Sequence, residues 1–224
     1  MNKLFIIAIV VIIHVELKAE IIYNNYPIDT SKTSVTIHHK YYTTEFDTVL
    51  YLPIVVKFWL TKDMFNCSEP YERTDNFKPD PKLPDYTDLE DDYEGTGYDR
   101  GHNMDAKDNE CDLDGMNESF YYSNMCPQTT QLNRGKWKRL EEYCRELSSE
   151  YDSILIWCGS TPGNKKIKRI TIPQYCWKIV YIIYIDSIIA FLMPNKKKLT
   201  GKFNDYIVSL EELENFTNIQ FVKP

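Results

Sequence analysis

Three short runs hold the side chains able to do chemistry. The first is Gly97-Tyr98-Asp99-Arg100-Gly101-His102. The second is Phe120-Tyr121-Tyr122-Ser123-Asn124-Met125-Cys126-Pro127-Gln128. The third is Leu132-Asn133-Arg134-Gly135-Lys136-Trp137-Lys138-Arg139-Leu140-Glu141. An imidazole is neutral near pH 7 and accepts a proton, so His102 suits a general base. Single histidines are ordinarily structural; the arrangement is what raises this one. A histidine on a strand, roughly thirty residues of loop, then a helix opening with Asn sets an imidazole opposite a cation held by the helix. Asn133 fits two roles: a hard amide-oxygen ligand for Mg²⁺, or a plain helix cap. Glu141 lies eight residues on, about 80° around a helix at ~100° per residue, so its carboxylate is on the same side two turns away. Arg145, one turn further, suits a phosphate or an ion pair with Glu141. Gly101 permits a sharp backbone or close substrate approach. Asp99 orients its strand by hydrogen bonding or serves as a turn or salt-bridge residue.

The elements that must carry these residues can be read from pattern. Trp137, Leu140, Cys144, Leu147 and Tyr151 step by three and four, one apolar stripe on a helix over 132–151. Residues 26–44 are polar and β-prone. Thr48 to Leu60 (TVLYLPIVVKFWL) reads as one or two strands with Pro53 at a break or edge. Ser153 to Cys158 reads as a short apolar strand ended by GSTPGN. Segments 170–172, 175–185 and 187–193 alternate as antiparallel strands, with a tight turn at Asp186-Ser187. Ser209 caps a short helix, SLEELENF. Residues 67–98, rich in Pro, Asp and Tyr, form an irregular excursion whose length signals function. Strands grouped around few helices indicate α+β.

The chain has 224 residues, 43% hydrophobic and 14% aromatic, which suits one packed domain and excludes collagen or bulk disorder. Its net charge of −7 excludes a basic nucleic-acid coat. Residues 80–114 carry 13 Asp/Glu against 3 Lys/Arg, so the rest sums to +3 and the acidity is local.

Residues 1–19 have a basic Lys3, ten apolar residues from Leu4 to Ile13, and Leu17 and Ala19 at cleavable positions. This is a secretory signal peptide in form, leaving a single domain from 20 to 224. No later segment approaches 18 apolar residues, so a product without stable membrane association is expected. Six cysteines behind such a leader, none in a CxxC pair, suggest up to three disulfides in any of 15 pairings. Several can equally be small buried thiols. Glycosylation sequons stand at Asn66, Asn117 and Asn215.

DRGH, SNMxPQ and LNRGxWxxLE, at this spacing, resemble the DNA/RNA non-specific endonuclease family of the His-Me-finger (ββα-metal) superfamily. That family includes secreted sugar-nonspecific nucleases and mitochondrial endonuclease G. RTDNFKPDPKLP upstream and IPQYCWKIVY, IAFLMPN and DYIVSLEELENF downstream look like family segments in order, so the resemblance spans roughly 45–222. It implies an antiparallel sheet core with an embedded ββα-metal finger. It implies cleavage of DNA and RNA by one hydrated Mg²⁺, or Mn²⁺. His102 would be the base, Asn133 the direct ligand, and Glu141 the holder of the ion's water. Arg73 or Arg145 would steady the phosphate, with Arg100 a phosphate or structural contact and Asn124 the family's second site asparagine, supporting the metal-side geometry, or otherwise a buried turn amide. Family members are often homodimers; no self-association signature stands out here.

Phosphate grip falls to Arg134, Lys136, Lys138 and Arg139 on the site helix, with Lys165–Arg169 and Lys196–Lys198 as further basic runs. Each is otherwise a solvated face. No motif reads base edges or the 2′-hydroxyl. The family's small apolar stretch after the histidine is here Asn103-Met104-Asp105-Ala106-Lys107-Asp108, which alters the groove. EDDYE at 90–94 repels nucleic acid or recruits a second cation. Residues 110–121 fail as a calcium loop, because Tyr121 stands where Glu is required. The competing function is a catalytically weak secreted binding or effector protein; a disulfide-rich toxin-like module is the third.

Overall fold

The computed structural model describes residues 21–23 and 33–223. The strands are β1 (Ile21–Tyr23), β2 (Ser34–His38), β3 (Tyr42–Asp47), β4 (Leu52–Thr61), β5 (Tyr98–His102), β6 (Met125–Thr129), β7 (Ser153–Ile167), β8 (Ile170–Ile182), β9 (Ser187–Pro194), β10 (Ile207–Val208) and β11 (Ile219–Phe221). The α-helices are α1 (Pro84–Thr87), α2 (Glu90–Tyr93), α3 (Leu113–Ser119), α4 (Lys138–Tyr151) and α5 (Leu210–Thr217). The leader of residues 1–19 lies outside the described residues.

Seven strands form one antiparallel sheet in the order β10-β9-β8-β7-β4-β3-β2. The α+β expectation therefore holds. Both faces of the sheet are covered, and the alternation along β8 decides which side chain goes where. Cys176, Val180 and Ile182 join the main core with Trp137, Leu140 and Cys144 of the helix side. Trp177, Ile179 and Tyr181 face the second core with Leu213 of α5 and Ile219 of β11. Strand β7 runs on through GSTPGN to Ile167 rather than stopping at Cys158, because β8 pairs with it throughout, with bulges around Pro162. Pro53 is the second residue of β4, beside a bulge between Glu45 and Phe46, so one strand rather than two covers this run.

On the main-core side β5 and β6 pair as a separate two-stranded ribbon, His102 opposite Met125. The helical run that follows β6 completes a strand-strand-helix unit. Its opening, Leu132–Trp137, is π-helical, and α4 continues it. The predicted stripe holds: Trp137, Leu140, Cys144 and Leu147 are buried. Ser209 caps α5 as read, its Oγ accepting from the Glu212 amide at 3.1 Å.

The 67–98 excursion is largely irregular, with only the short α1 and α2. It is tied down where it begins, by a Cys67–Cys111 disulfide. Cys126, Cys144, Cys158 and Cys176 are free and buried, so one disulfide replaces the three that the cysteine count allowed. Each of the four sits in the sheet or ribbon core as a small apolar group.

Candidate active site

An open cleft of about 1670 Å³ is lined by residues of the first and third motifs and of the excursion. His102, at the end of β5, sits on its floor and is only 6% exposed. Phe77 and Phe120 pack against the imidazole at centroid distances of 5.8 and 5.1 Å. Its Nε2 has no hydrogen-bond partner, which leaves the ring with unused capacity to accept a proton. Burial drives the imidazole down from 6.5 to about 4; the Asp105 carboxylate pulls it up and Arg73 pushes it further down. The ring is therefore neutral at pH 7, as a general base requires.

The backbone under His102 is gripped from several sides. Trp137 Nε1 donates to the His102 carbonyl at 3.0 Å. Asn124 takes the Met104 amide on its Oδ1 at 3.0 Å and donates Nδ2 to the carbonyls of Met104 (2.9 Å) and Ser119 (2.7 Å). Asn124 is thus fully buried and spent on backbone, a bracket behind the histidine, which is the buried-amide alternative of its two readings. Gly101 is also reassigned. A Cβ there would meet the Gln128 side chain at 2.4 Å, so the glycine serves cross-strand packing rather than substrate approach.

Asn133 lines the cleft from the π-helical opening and is no cap: its Nδ2 donates to Asp99 Oδ2 at 3.1 Å. That bond fixes the amide so that Oδ1 remains available. Asp99 also takes Arg134 bidentately at 2.9 and 2.8 Å. Burial works to raise the Asp99 carboxyl, but hydrogen bonds from Arg134 and Asn133 hold it below the usual carboxylate range. Asp99 thus orients the Asn133 amide through a hydrogen bond and pairs with Arg134 through a salt bridge.

Glu141 lines the same cleft and is 8% exposed. Its carboxyl makes no hydrogen bond among the described residues. Burial pushes it well above its ordinary value, and the Asp105 charge adds to this. Arg145 does not pair with Glu141. Its Nη1 hydrogen-bonds Asp105 at 2.9 Å and Asp108 at 2.6 Å, two acids of the altered stretch after the histidine. Burial opposes the Arg145 charge, and Asp108 and Asp105 hold it in place. Burial lifts Asp108 to about 6. Arg145 is thereby an internal counter-ion, whereas Arg73 lines the cleft with its side chain about half exposed. Arg73 lies over the Phe120 ring at 4.8 Å, bonds Asp75 at 2.7 Å, and stands 3.9 Å from Asp105.

Arg100 also lines the cleft, but its guanidinium sits among Phe77, Tyr93 and Tyr122 at 5.0, 5.8 and 5.9 Å from the ring centres. The four basic residues of the site helix divide. Arg134 and Lys138 line the cleft. Lys136 instead bonds the Gly201 carbonyl, and Arg139 is taken by Glu142 and Glu146 at 2.8 and 3.1 Å. The sequence reading missed Asp105, Asp108 and Lys178. For Lys178 a signal existed: a lysine at a core-facing position of an alternating apolar strand.

The donor set suits a hard divalent ion: one oriented amide oxygen and one buried carboxyl without a hydrogen-bond partner. No group of three or more His, Cys, Asp and Glu side chains poised for a metal occurs among the described residues. An ion that keeps most of its water and takes one direct protein ligand needs none.

A histidine on a two-stranded ribbon and an Asn–Glu helix that line one cleft make the arrangement of a ββα-metal finger. The chain belongs to the DNA/RNA non-specific endonuclease family, whose profile matches residues 18–224. A nuclease of Nostoc sp. is 36% identical over 168 residues, covering 67% of this chain and 61% of its own. Mitochondrial nuclease 1 of Schizosaccharomyces pombe is 29% identical over 206 residues, covering 81% and 64%. The mitochondrial nuclease EXOG of Xenopus laevis is 32% identical over 168 residues, covering 65% and 46%. The chain therefore spans less than two thirds of these relatives. A crystal structure of an EndoG/EndoGI complex shares the fold, with a TM-score of 0.75 and 24% identity over 83% of this chain and 84% of that one.

Proposed function

We propose that this protein is a secreted, Mg²⁺-dependent endonuclease that hydrolyses phosphodiester bonds of DNA and RNA. The observation carrying this reading is that a neutral buried imidazole, an oriented amide oxygen and a carboxyl without a hydrogen-bond partner line one cleft. His102 accepts the proton of the attacking water. Arg73 meets the negative charge of the phosphate, held ready by Asp75 and Phe120. Arg134 and Lys138 attract the flanking backbone. Asn133 and Glu141 would hold Mg²⁺, or Mn²⁺, which supplies positive charge where the transition state becomes more negative. No step reads a base edge, so cutting follows the backbone rather than the sequence.

Family membership and the completeness of the base–amide–carboxyl set favour this over a catalytically weak binding protein. The test is digestion of plasmid DNA and of RNA in Mg²⁺ and then in EDTA. Cutting that chelator abolishes is the expected result; intact polynucleotides in magnesium buffer would sink the reading.

Secretion rests on residues 1–19, whose ten-residue apolar run has neither the arginines nor the serines of an amphipathic transit peptide. The Cys67–Cys111 disulfide is consistent with an oxidising compartment. Expression of the full chain in eukaryotic cells should release a product beginning at Glu20 into the medium. Intracellular protein with an intact leader would contradict it.

A further inference from the structure

Lys178 is the buried charge that the proposed mechanism does not use. It is 1% exposed, in the middle of β8, on the face that carries Cys176 and Val180 into the main core. Leaving a lysine there is costly unless its charge and its donors are matched. Its Nζ lies 3.4 Å from the carbonyl oxygen of Asn103, the residue after His102. Cys158 Sγ approaches the same oxygen at 3.2 Å. The Lys178 ammonium also lies 4.9 Å from the centre of the Trp137 ring, whose Nε1 holds the His102 carbonyl. On the far side of the turn, both the Asn103 amide and its side-chain Nδ2 reach the Asn124 carbonyl at 3.0 Å.

We propose that Lys178 is a positioning residue, which clamps the His102–Met104 turn from beneath through the Asn103 carbonyl and the Trp137 ring. Glu141 and Asp108 lie within its electrostatic reach, but burial favours the protonated form of Glu141 and Asp108 keeps Arg145, so neither acid depends on the Lys178 charge. A core lysine contributes little to folding that a methionine of similar length does not. Its value lies in the turn it fixes, because a displacement of about 1 Å at a reacting group costs on the order of 100-fold in rate.

This inference rests on the nuclease reading, and one experiment separates the two. Wild type, Lys178→Met and Lys178→Gln are compared for thermal stability, steady-state cutting of one oligonucleotide in Mg²⁺, and hydrogen–deuterium exchange of the 100–106 segment without substrate. Expected for Lys178→Met is a Tm at or above wild type, a kcat down tenfold or more, a KM within about threefold, and faster exchange confined to 100–106. Lys178→Gln, which keeps a donor and loses the charge, should fall between. A folded variant with wild-type kcat overturns the proposal, as does an exchange rate at 100–106 that does not rise. A kcat loss that tracks a fall in Tm, or failure of both variants to fold, assigns Lys178 to the fold and also overturns it. Wild type that cuts nothing defeats the nuclease reading instead.

Discussion

Asp99 on β5 and Asn133 on the helix are joined by one hydrogen bond of 3.1 Å between Nδ2 and Oδ2. It ties the strand that ends in His102 to the helical turn that presents the amide oxygen. An unrestrained amide presents nitrogen or oxygen with similar ease. With Nδ2 committed to Asp99, Oδ1 is the atom left for a cation.

Asp99→Ala should therefore mimic a partial loss of Asn133. The Mg²⁺ concentration for half-maximal rate should rise severalfold and kcat should fall by about tenfold, whereas Asn133→Ala should fall further, by 10²-fold or more. Magnesium titrations of cutting rate on the two variants check the order. An Asp99→Ala enzyme with unchanged magnesium dependence would remove the bond from the mechanism.

His102→Ala should lower turnover by roughly 10²–10⁴-fold, the usual span for a lost general base. Because burial holds the imidazole near 4, the acid limb of the wild-type rate profile should lie well below the ordinary histidine value of 6.5. The same depression makes a statement about stability. A group whose folded value is lowered adds stability that is present above 6.5 and lost as pH falls through about 4. Thermal melts of wild type and His102→Ala should converge across that window as the pH is lowered.

Much of this was legible in the sequence, and the exceptions have physical causes. The helix stripe from Trp137 to Leu147, the Ser209 cap and the meander β8–β9 follow from local period and turn chemistry, which a sequence displays directly. The length of β7 was missed because GSTPGN carries turn residues, and only pairing with β8 holds it extended. The partner of Arg145 was missed because Glu141, four residues away on the helix, is the local choice. Asp105 and Asp108 are brought in from the loop after β5 by tertiary packing. Asn124 reads as a site residue by motif but is consumed by backbone carbonyls, a contact no spacing announces. Likewise, among six cysteines only geometry could select Cys67 and Cys111.

Glu141→Gln should separate function from stability. Burial and the acids Asp105 and Asp108 raise this carboxyl, so its folded form favours the proton. Such a group stabilises the fold below its unfolded value and loses that contribution as pH rises. A neutral amide of the same shape avoids the loss. The variant should abolish most cutting while melting higher than wild type near pH 7 in the absence of divalent ion. Saturating Mg²⁺ should narrow the gap by stabilising wild type alone. A Glu141→Gln protein that is less stable than wild type at pH 7 without metal would contradict the assignment.

The Cys67–Cys111 bridge closes a span of 44 residues that includes Arg73, Phe77 and His102. Phe77 packs on His102, and Arg73 lies over Phe120, so the excursion supplies both a wall and a charge to the cleft. Backbone bonds from Cys111 to Met64 and from Tyr71 to Glu110 continue the tie on either side. A loop of that size contributes about 4 kcal/mol in the chain-entropy account, and the large sheet lies outside it. Breaking the bridge should therefore loosen the excursion first. Cys67→Ser with Cys111→Ser, or reduction with dithiothreitol, should lower Tm and cut kcat by about tenfold, because Arg73 no longer holds its place over Phe120. The remaining four thiols are buried, so reductant has no other bond to break among the described residues. Arg73→Ala should make the enzyme insensitive to that reductant, since the charge that the bridge positions is already gone. Additive losses from Arg73→Ala and from reduction would show that the bridge acts elsewhere in the cleft.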